Sequence, residues 1–230
     1  MTLPPSIRRI AVAAYQGVLA DESAAFRDVL GRLPDVRLMT VGTRLGEIAG
    51  PGGAQIVDTL FDEVDAVDVV VVPGGLGSHR HPEIAAWVRR VRPQWVLTSS
   101  TGSALLAASG LLRGRTAATH WLAGPLLERH GAIASHERLV VDGPFVTCAG
   151  LASTFDAADV VVRAVGGAAL VRQIRQQLSD AVVGERASCP PARTRYRARG
   201  GRGRRAPVPN STAPADAAWR PSVEVELEDR

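Results

Sequence analysis

The stretch Asp68-Val69-Val70-Val71-Val72-Pro73-Gly74-Gly75 constrains the fold more than any other part of the chain. Four consecutive valines leave no polar alternation, so a strand made of them must be covered on both faces, the condition of an interior strand in a parallel sheet. Pro-Gly-Gly then ends the strand abruptly. A second apolar run, Trp95–Ser99, passes with no room for a loop into Gly102–Leu112, where Ala and Leu occupy most faces of a helix.

The rest of the first 180 residues repeats this alternation. Arg9–Tyr15 and Val36–Val41 read as strands, and acids at Asp21 and Glu22 open a helical spacing through Val29 and Leu30. Gly46–Gly53 punctuates a hairpin or loop, and Pro82–Arg92 reads as a helix. Short strands are expected at Thr116–Thr119, Arg138–Val141 and Phe145–Cys148, then helices over Phe155–Val165 and Ala168–Leu178. Strands alternating with helices predict an α/β fold with a doubly wound, mostly parallel sheet and helices on both faces, whose sites lie beyond the carboxyl ends of the strands.

Charge separates this domain, residues 6–182, from the carboxyl-terminal segment. The net charge is +4, yet residues 186–230 carry ten Arg against five acids, so the domain itself is close to neutral. Lysine is absent throughout. Residues 183–230 mix Pro, Gly and Arg without a period, which predicts a disordered tail. Its RYRARGGRGRR segment (residues 195–205) could bind nucleic acid only weakly and non-specifically through phosphate, and a solvated extension is the preferred reading. Two cysteines, Cys148 and Cys189, are too few for a disulfide framework, and no apolar run approaches a membrane span; a soluble, cytoplasmic protein is expected. His130 and His136 lack ligand spacing with each other or with Cys148, so no metal site is expected.

The chemistry concentrates at Thr98-Ser99-Ser100-Thr101-Gly102. A hydroxyl on a strand-to-helix turn projects from the sheet edge, with the helix N-terminus behind it. Ser100, or its neighbour Ser99, is the candidate nucleophile; the alternative is that these hydroxyls are helix caps. The G-x-S-x-G pattern is half met, since Thr98 stands where the first Gly would be.

Several ordered motifs carry a family resemblance across residues 8–180. Ser100-Thr101-Gly102, Gly110-Leu111-Leu112-Arg113-Gly114, Thr119-His120-Trp121, the upstream Val69–Gly77 and the downstream Val146–Ala158 together resemble the ThiJ/PfpI branch of the class I glutamine amidotransferase-like superfamily, which includes isonitrile hydratases. The resemblance implies a flavodoxin-like doubly wound fold and a cofactor-independent hydrolase or hydratase acting on a small molecule. It aligns Ser100 with the family's nucleophilic cysteine, a departure that matters because a serine hydroxyl needs help that a thiol does not. It also implies His120 as the base and Glu22, rather than Asp21, as the acid beside the nucleophile. The amides of Gly75, Leu76 and Thr101 would form the oxyanion hole, and Asp156 would orient His120. His120 packed beside Trp121 and an N-terminal helix acid at Glu22 remain the plain structural alternatives.

Relatives of this family form homodimers, so a homodimer is expected, with apolar faces such as Ala104–Leu112 suggesting its interface. The other functional reading is a non-catalytic ligand-binding or sensor domain, like that of AraC-type regulators, although residues 186–230 show no helix-turn-helix.

Overall fold

The computed structural model describes residues 7–187, with side chains to 181. From the amino terminus, β1 (Arg9–Ala13) leads to α1 (Ala20–Leu30), β2 (Arg37–Gly42), a hairpin of β3 (Gly46–Gly50) and β4 (Gly53–Val57), and a two-residue β5 (Thr59–Leu60). Next come β6 (Val69–Val72), α2 (Pro82–Val91), β7 (Trp95–Ser99), α3 (Gly102–Ala108), β8 (Thr116–Ala118), α4 (Gly124–Arg129) and β9 (Ile133–Ser135). The described part closes with β10 (Leu139–Asp142), β11 (Phe145–Cys148) and α5 (Leu151–Ala187). The expected tail lies outside the described residues except for the end of α5, which continues past residue 182.

Seven strands form the central sheet in the order β10-β11-β7-β6-β1-β2-β5, all pairs parallel except β10 with β11. The valine run is the clearest case of sequence dictating place. Val70 and Val72 enter the core shared with Ile84 and Val88 of α2 and Leu106 of α3, whereas Val69 and Val71 enter the opposite core with Phe26 of α1 and Val161 of α5. Period-two alternation sends successive side chains to opposite faces, and both faces are roofed by helices, so every position tolerates only an apolar residue. The fold is the doubly wound α/β sandwich expected.

Strand order reverses at β1, whose neighbours are β2 on one side and β6 on the other. A cleft at the carboxyl ends results from such a switch. The chain leaving β1 enters α1 with Glu22, the chain leaving β6 makes the Gly74-Gly75 turn, and the chain leaving β7 turns at Ser100.

Some expectations are corrected. The helix after the elbow ends at Ala108 rather than Leu112, because the Ser109 hydroxyl donates to Leu106 O at 2.8 Å and the chain tightens into turns. On the face Ala104–Leu112, Ala104, Leu105, Leu106, Ala107, Leu111 and Leu112 are already buried within the one chain, so it has little apolar surface beyond what this subunit covers. The two expected helices near the end are present as the two parts of α5, which separate at Gly166 and Gly167, but the first begins at Leu151 rather than Phe155; Gly167 adopts φ 66°, strained for any residue with a Cβ. Among the described residues no helix is long and apolar enough to cross a membrane.

Candidate active site

Ser100 occupies the turn between β7 and α3 with φ 51°, a left-handed conformation uncommon for a residue with a side chain. Its backbone is held on every side. Its N–H donates to Cys148 O at 2.9 Å, and its carbonyl accepts from the Thr119 hydroxyl at 2.8 Å, the Ser103 hydroxyl at 3.1 Å and the His120 amide at 3.3 Å. The strain is therefore imposed by neighbouring strands and by α3. Ser100 is 5% exposed, and its own hydroxyl makes no hydrogen bond among the described residues.

Glu22 reaches this turn from α1 and is 4% exposed. Its Oε2 accepts two hydrogen bonds, from the Gly74 amide at 2.8 Å and from the Ser99 hydroxyl at 2.6 Å. Burial pushes the carboxyl above the ordinary carboxylate range; the Ser99 and Gly74 bonds and the nearby His120 only partly offset it, and Asp21 adds to the rise. Whenever this carboxyl is protonated, its proton belongs on Oε1, since Oε2 already faces two donors.

Gly74 sets how closely these groups approach. A Cβ there would stand 2.7 Å from Ser100 Cβ, 2.8 Å from Glu22 Oε2 and 3.1 Å from Ser100 Oγ. Only a residue without a side chain lets the carboxyl and the elbow meet over the turn. Tyr15, beyond the end of β1, braces the turn from below by donating its hydroxyl to Pro73 O at 2.6 Å. Sequence reasoning missed both the Gly74 amide as a partner of Glu22 and Tyr15 as the brace of the turn; the first Gly of the pair and the aromatic residue after the first strand were the available signals.

The expected oxyanion hole is closed as the structure stands. Gly75 N–H donates to Thr101 Oγ1 at 2.9 Å, and Leu76 N–H donates to Gly17 O at 2.9 Å. Of the expected donors, only the Thr101 amide has no acceptor among the described residues. The turn amides are consumed in fastening the turn to its neighbours.

His120 is half-buried, with its ring tilted against that of Trp121 at 5.7 Å between centroids. Its Nδ1 accepts from the Leu122 amide at 3.3 Å, which places the ring proton of the neutral imidazole on Nε2. In this tautomer the free nitrogen is a donor rather than a base. Asp156 does not orient His120: its carboxyl pairs with Arg175 at 3.0 Å and Arg138 at 3.3 Å, fastening the two halves of α5 to the loop before β10. Asp21 is exposed and turned towards Gly52 of the β3–β4 hairpin, so Glu22 alone of the two acids enters the site.

Ser99 is fully buried, and its hydroxyl is committed to Glu22, so its role differs from that of an exposed nucleophile. Cys148 lies beside it in register, and burial, with Glu22 contributing, pushes its thiol up to about 12. It is a protonated core thiol that does not replace the missing elbow cysteine. No group of three or more His, Cys, Asp or Glu among the described residues is placed to hold a metal ion.

Comparison with known proteins gives a consistent set of likenesses. The family model described as DJ-1/PfpI family matches residues 8–164. An isonitrile hydratase from Pseudomonas putida is 34% identical over 160 residues, which span 67% of this chain and 70% of that protein. Among solved structures, a ThiJ/PfpI family protein from Pseudomonas syringae superposes with a TM-score of 0.70 at 22% identity, covering 81% of this chain and 78% of that one. A DJ-1 superfamily protein from Salmonella typhimurium, solved as a cysteine-to-alanine mutant, gives a TM-score of 0.67 at 24% identity, covering 75% of this chain and 98% of that one. The structural likenesses bear on the fold alone.

Proposed function

The chain belongs to the DJ-1/PfpI family, and from that premise we propose that it adds water to a small unsaturated molecule of the isonitrile kind, with Glu22 as proton donor and Ser100 in the place of the family's cysteine. The observation that carries this reading is Glu22 itself: a buried carboxyl, pushed by that burial towards its neutral form, whose Oε2 is saturated and whose Oε1 has no partner among the described residues.

A serine is a poor nucleophile without a base; here burial disfavours the charged Glu22 carboxylate that could serve as one, and His120 presents N–H. An acid-first route removes that requirement. Glu22 Oε1–H gives its proton to the terminal carbon of R–NC, creating a strongly electrophilic carbon. The neutral Ser100 hydroxyl then bonds to that carbon, and its proton passes to the Glu22 carboxylate, restoring the acid. Water adds to the resulting imidate, the carbon–oxygen bond to Ser100 breaks, and the products are an N-substituted formamide and free Ser100. No oxyanion develops on this route, which suits a turn whose Gly75 and Leu76 amides are already engaged. Amide or ester hydrolysis would need both an alkoxide and an open oxyanion hole.

The second reading is a ligand-binding domain without turnover. The absence of a base for Ser100 among the described residues favours it. A panel of isonitrile, amide and ester substrates with the parent, Ser100→Ala and Glu22→Gln separates the two. Hydration predicts isonitrile consumption by the parent alone, with about 10²-fold loss or more in Glu22→Gln. Equal turnover by the parent and Ser100→Ala would remove the hydroxyl from the chemistry, and binding with no turnover by any of the three would leave the sensor reading.

A further inference from the structure

Glu22 can serve as a directed acid only if its proton is kept on one oxygen. Three elements converge to arrange this. The Gly74 amide, leaving β6, and the Ser99 hydroxyl, the last side chain of β7, both donate to Oε2, at 2.8 and 2.6 Å. Ser99 is itself fully buried, and its strand is fixed in register between β6 and β11. A main-chain N–H can only donate, so Oε2 opposite Gly74 must act as an acceptor. The serine hydroxyl could rotate either way, and facing an oxygen already defined as the acceptor it donates.

We infer that Ser99 is a positioning residue: together with Gly74 it makes Oε2 the carbonyl oxygen of Glu22 and confines the carboxyl proton to Oε1, the oxygen left to the substrate. This rests on the hydration reading above for its purpose, but the placement of the proton is a property of the resting protein. It also explains why the buried serine adjacent to the elbow contacts the carboxyl while Ser100 does not. The pleat of β7 turns Ser99 towards α1, and the left-handed turn lifts Ser100 away from it.

Other charged and titratable groups around Glu22 do not compete for this role. His120 and Asp21 act on the carboxyl through space, in opposite directions, without bonding to it. Tyr15 is committed to Pro73 O, and Cys148 directs its thiol towards Gly150 O at 4.0 Å. Asp156 and Arg138, packed from α5 and the loop before β10, are paired with each other.

The test is a carboxyl-carbon NMR titration of glutamate side chains in the full-length protein, with Glu22→Gln identifying the Glu22 signal, carried out on the parent, Ser99→Ala, Ser99→Thr and Ser100→Ala. Loss of the Ser99 donor destabilises the carboxylate, so the Glu22 transition moves to higher pH in Ser99→Ala. It stays near the parent's in Ser100→Ala, and Ser99→Thr, which keeps the hydroxyl, restores it. Turnover of an isonitrile, where the parent shows it, falls about tenfold in kcat in Ser99→Ala with KM little changed, because binding is untouched while the acid is misdirected. An unmoved Glu22 transition in Ser99→Ala overturns the inference whatever the kinetics. A transition that moves in Ser99→Ala, together with a parent that hydrates nothing in the panel, upholds the proton placement and overturns the hydration reading instead.

Discussion

Thr101 and Gly75 hold each other across the site: the Thr101 hydroxyl accepts from Gly75 N–H and donates to Gly75 O, both at 2.9 Å. This one side chain ties the elbow after β7 to the turn after β6, and it occupies the amide that an oxyanion would otherwise use. Thr101→Val keeps the shape and removes both bonds. It is expected to cost about 1–2 kcal/mol in denaturant unfolding and to speed hydrogen exchange at the Gly75 amide. Unchanged exchange at Gly75 would show that the hydroxyl is not its protector.

Burial of Glu22 should make stability depend on pH in a defined direction. Its folded-state value lies above its unfolded one, near 4.3 for a free glutamate. Below about pH 4 both states carry a neutral carboxyl, and the group exerts no net effect. As pH rises past the unfolded value, the unfolded chain releases a proton that the folded chain retains, so stability falls until the folded value is passed. Glu22→Gln keeps an acceptor oxygen for Gly74 and Ser99 and should raise the melting temperature at neutral pH but not in acid. A stabilisation independent of pH would contradict this linkage.

The φ of 51° at Ser100 makes a separable claim about strain. Ser100→Gly should be more stable than Ser100→Ala by about 1 kcal/mol, since glycine enters the left-handed region without a Cβ penalty. Ser100→Ala should differ little from the parent, whose hydroxyl has no partner among the described residues. Equal stabilities of the Gly and Ala variants, measured by chemical denaturation, would mean that the turn is relaxed.

Cys148 should be silent to thiol reagents in the folded protein. It is fully buried, with its thiol pushed up to about 12. In a Cys189→Ser variant, reaction with an aromatic disulfide reagent at about pH 8, near the ordinary thiol range, should be undetectable until denaturant is added. Prompt reaction under native conditions would show an open route to the core beside Glu22.

A homodimer remains a proposal, with its surface moved from α3 to the rim of the site. Trp121 is 78% exposed, Leu76 72% and Leu122 66%; Leu76 is in the turn after β6, Trp121 and Leu122 are in a short 3-10 turn after β8, and each is within two residues of a group bonded to Ser100 or Thr101. A rim of large apolar side chains suits a self-complementary contact. Light scattering should give twice the monomer mass for the parent and the monomer mass for a Trp121→Glu, Leu122→Glu variant. A monomeric parent at micromolar concentration would end the proposal.

Local pattern alone determined the architecture. The unbroken valines of β6, the loopless passage from Trp95–Ser99 into a helix, and the paired glycines at 166 and 167 each permit one backbone solution, and the structure adopts it. The acid at residue 22 and the elbow at residue 100 could also be read, because each is announced by the punctuation around it. Very short elements could not: β5 and β9 span two and three residues and exist through pairing with β2 and β8, a stabilisation that no window of sequence contains. The bonding within the site was beyond sequence for the same reason. Which of two adjacent serines meets Glu22 depends on the pleat of β7 against α1, over a separation of 77 residues. Whether the Gly75 amide is free depends on a threonine 26 residues away, and whether Asp156 serves His120 depends on arginines that reach it from two other segments. Backbone conformation is dictated mainly by neighbours in the chain, whereas the partner of a polar atom is chosen among groups brought together by the packed sheet, and only the tertiary structure makes that choice.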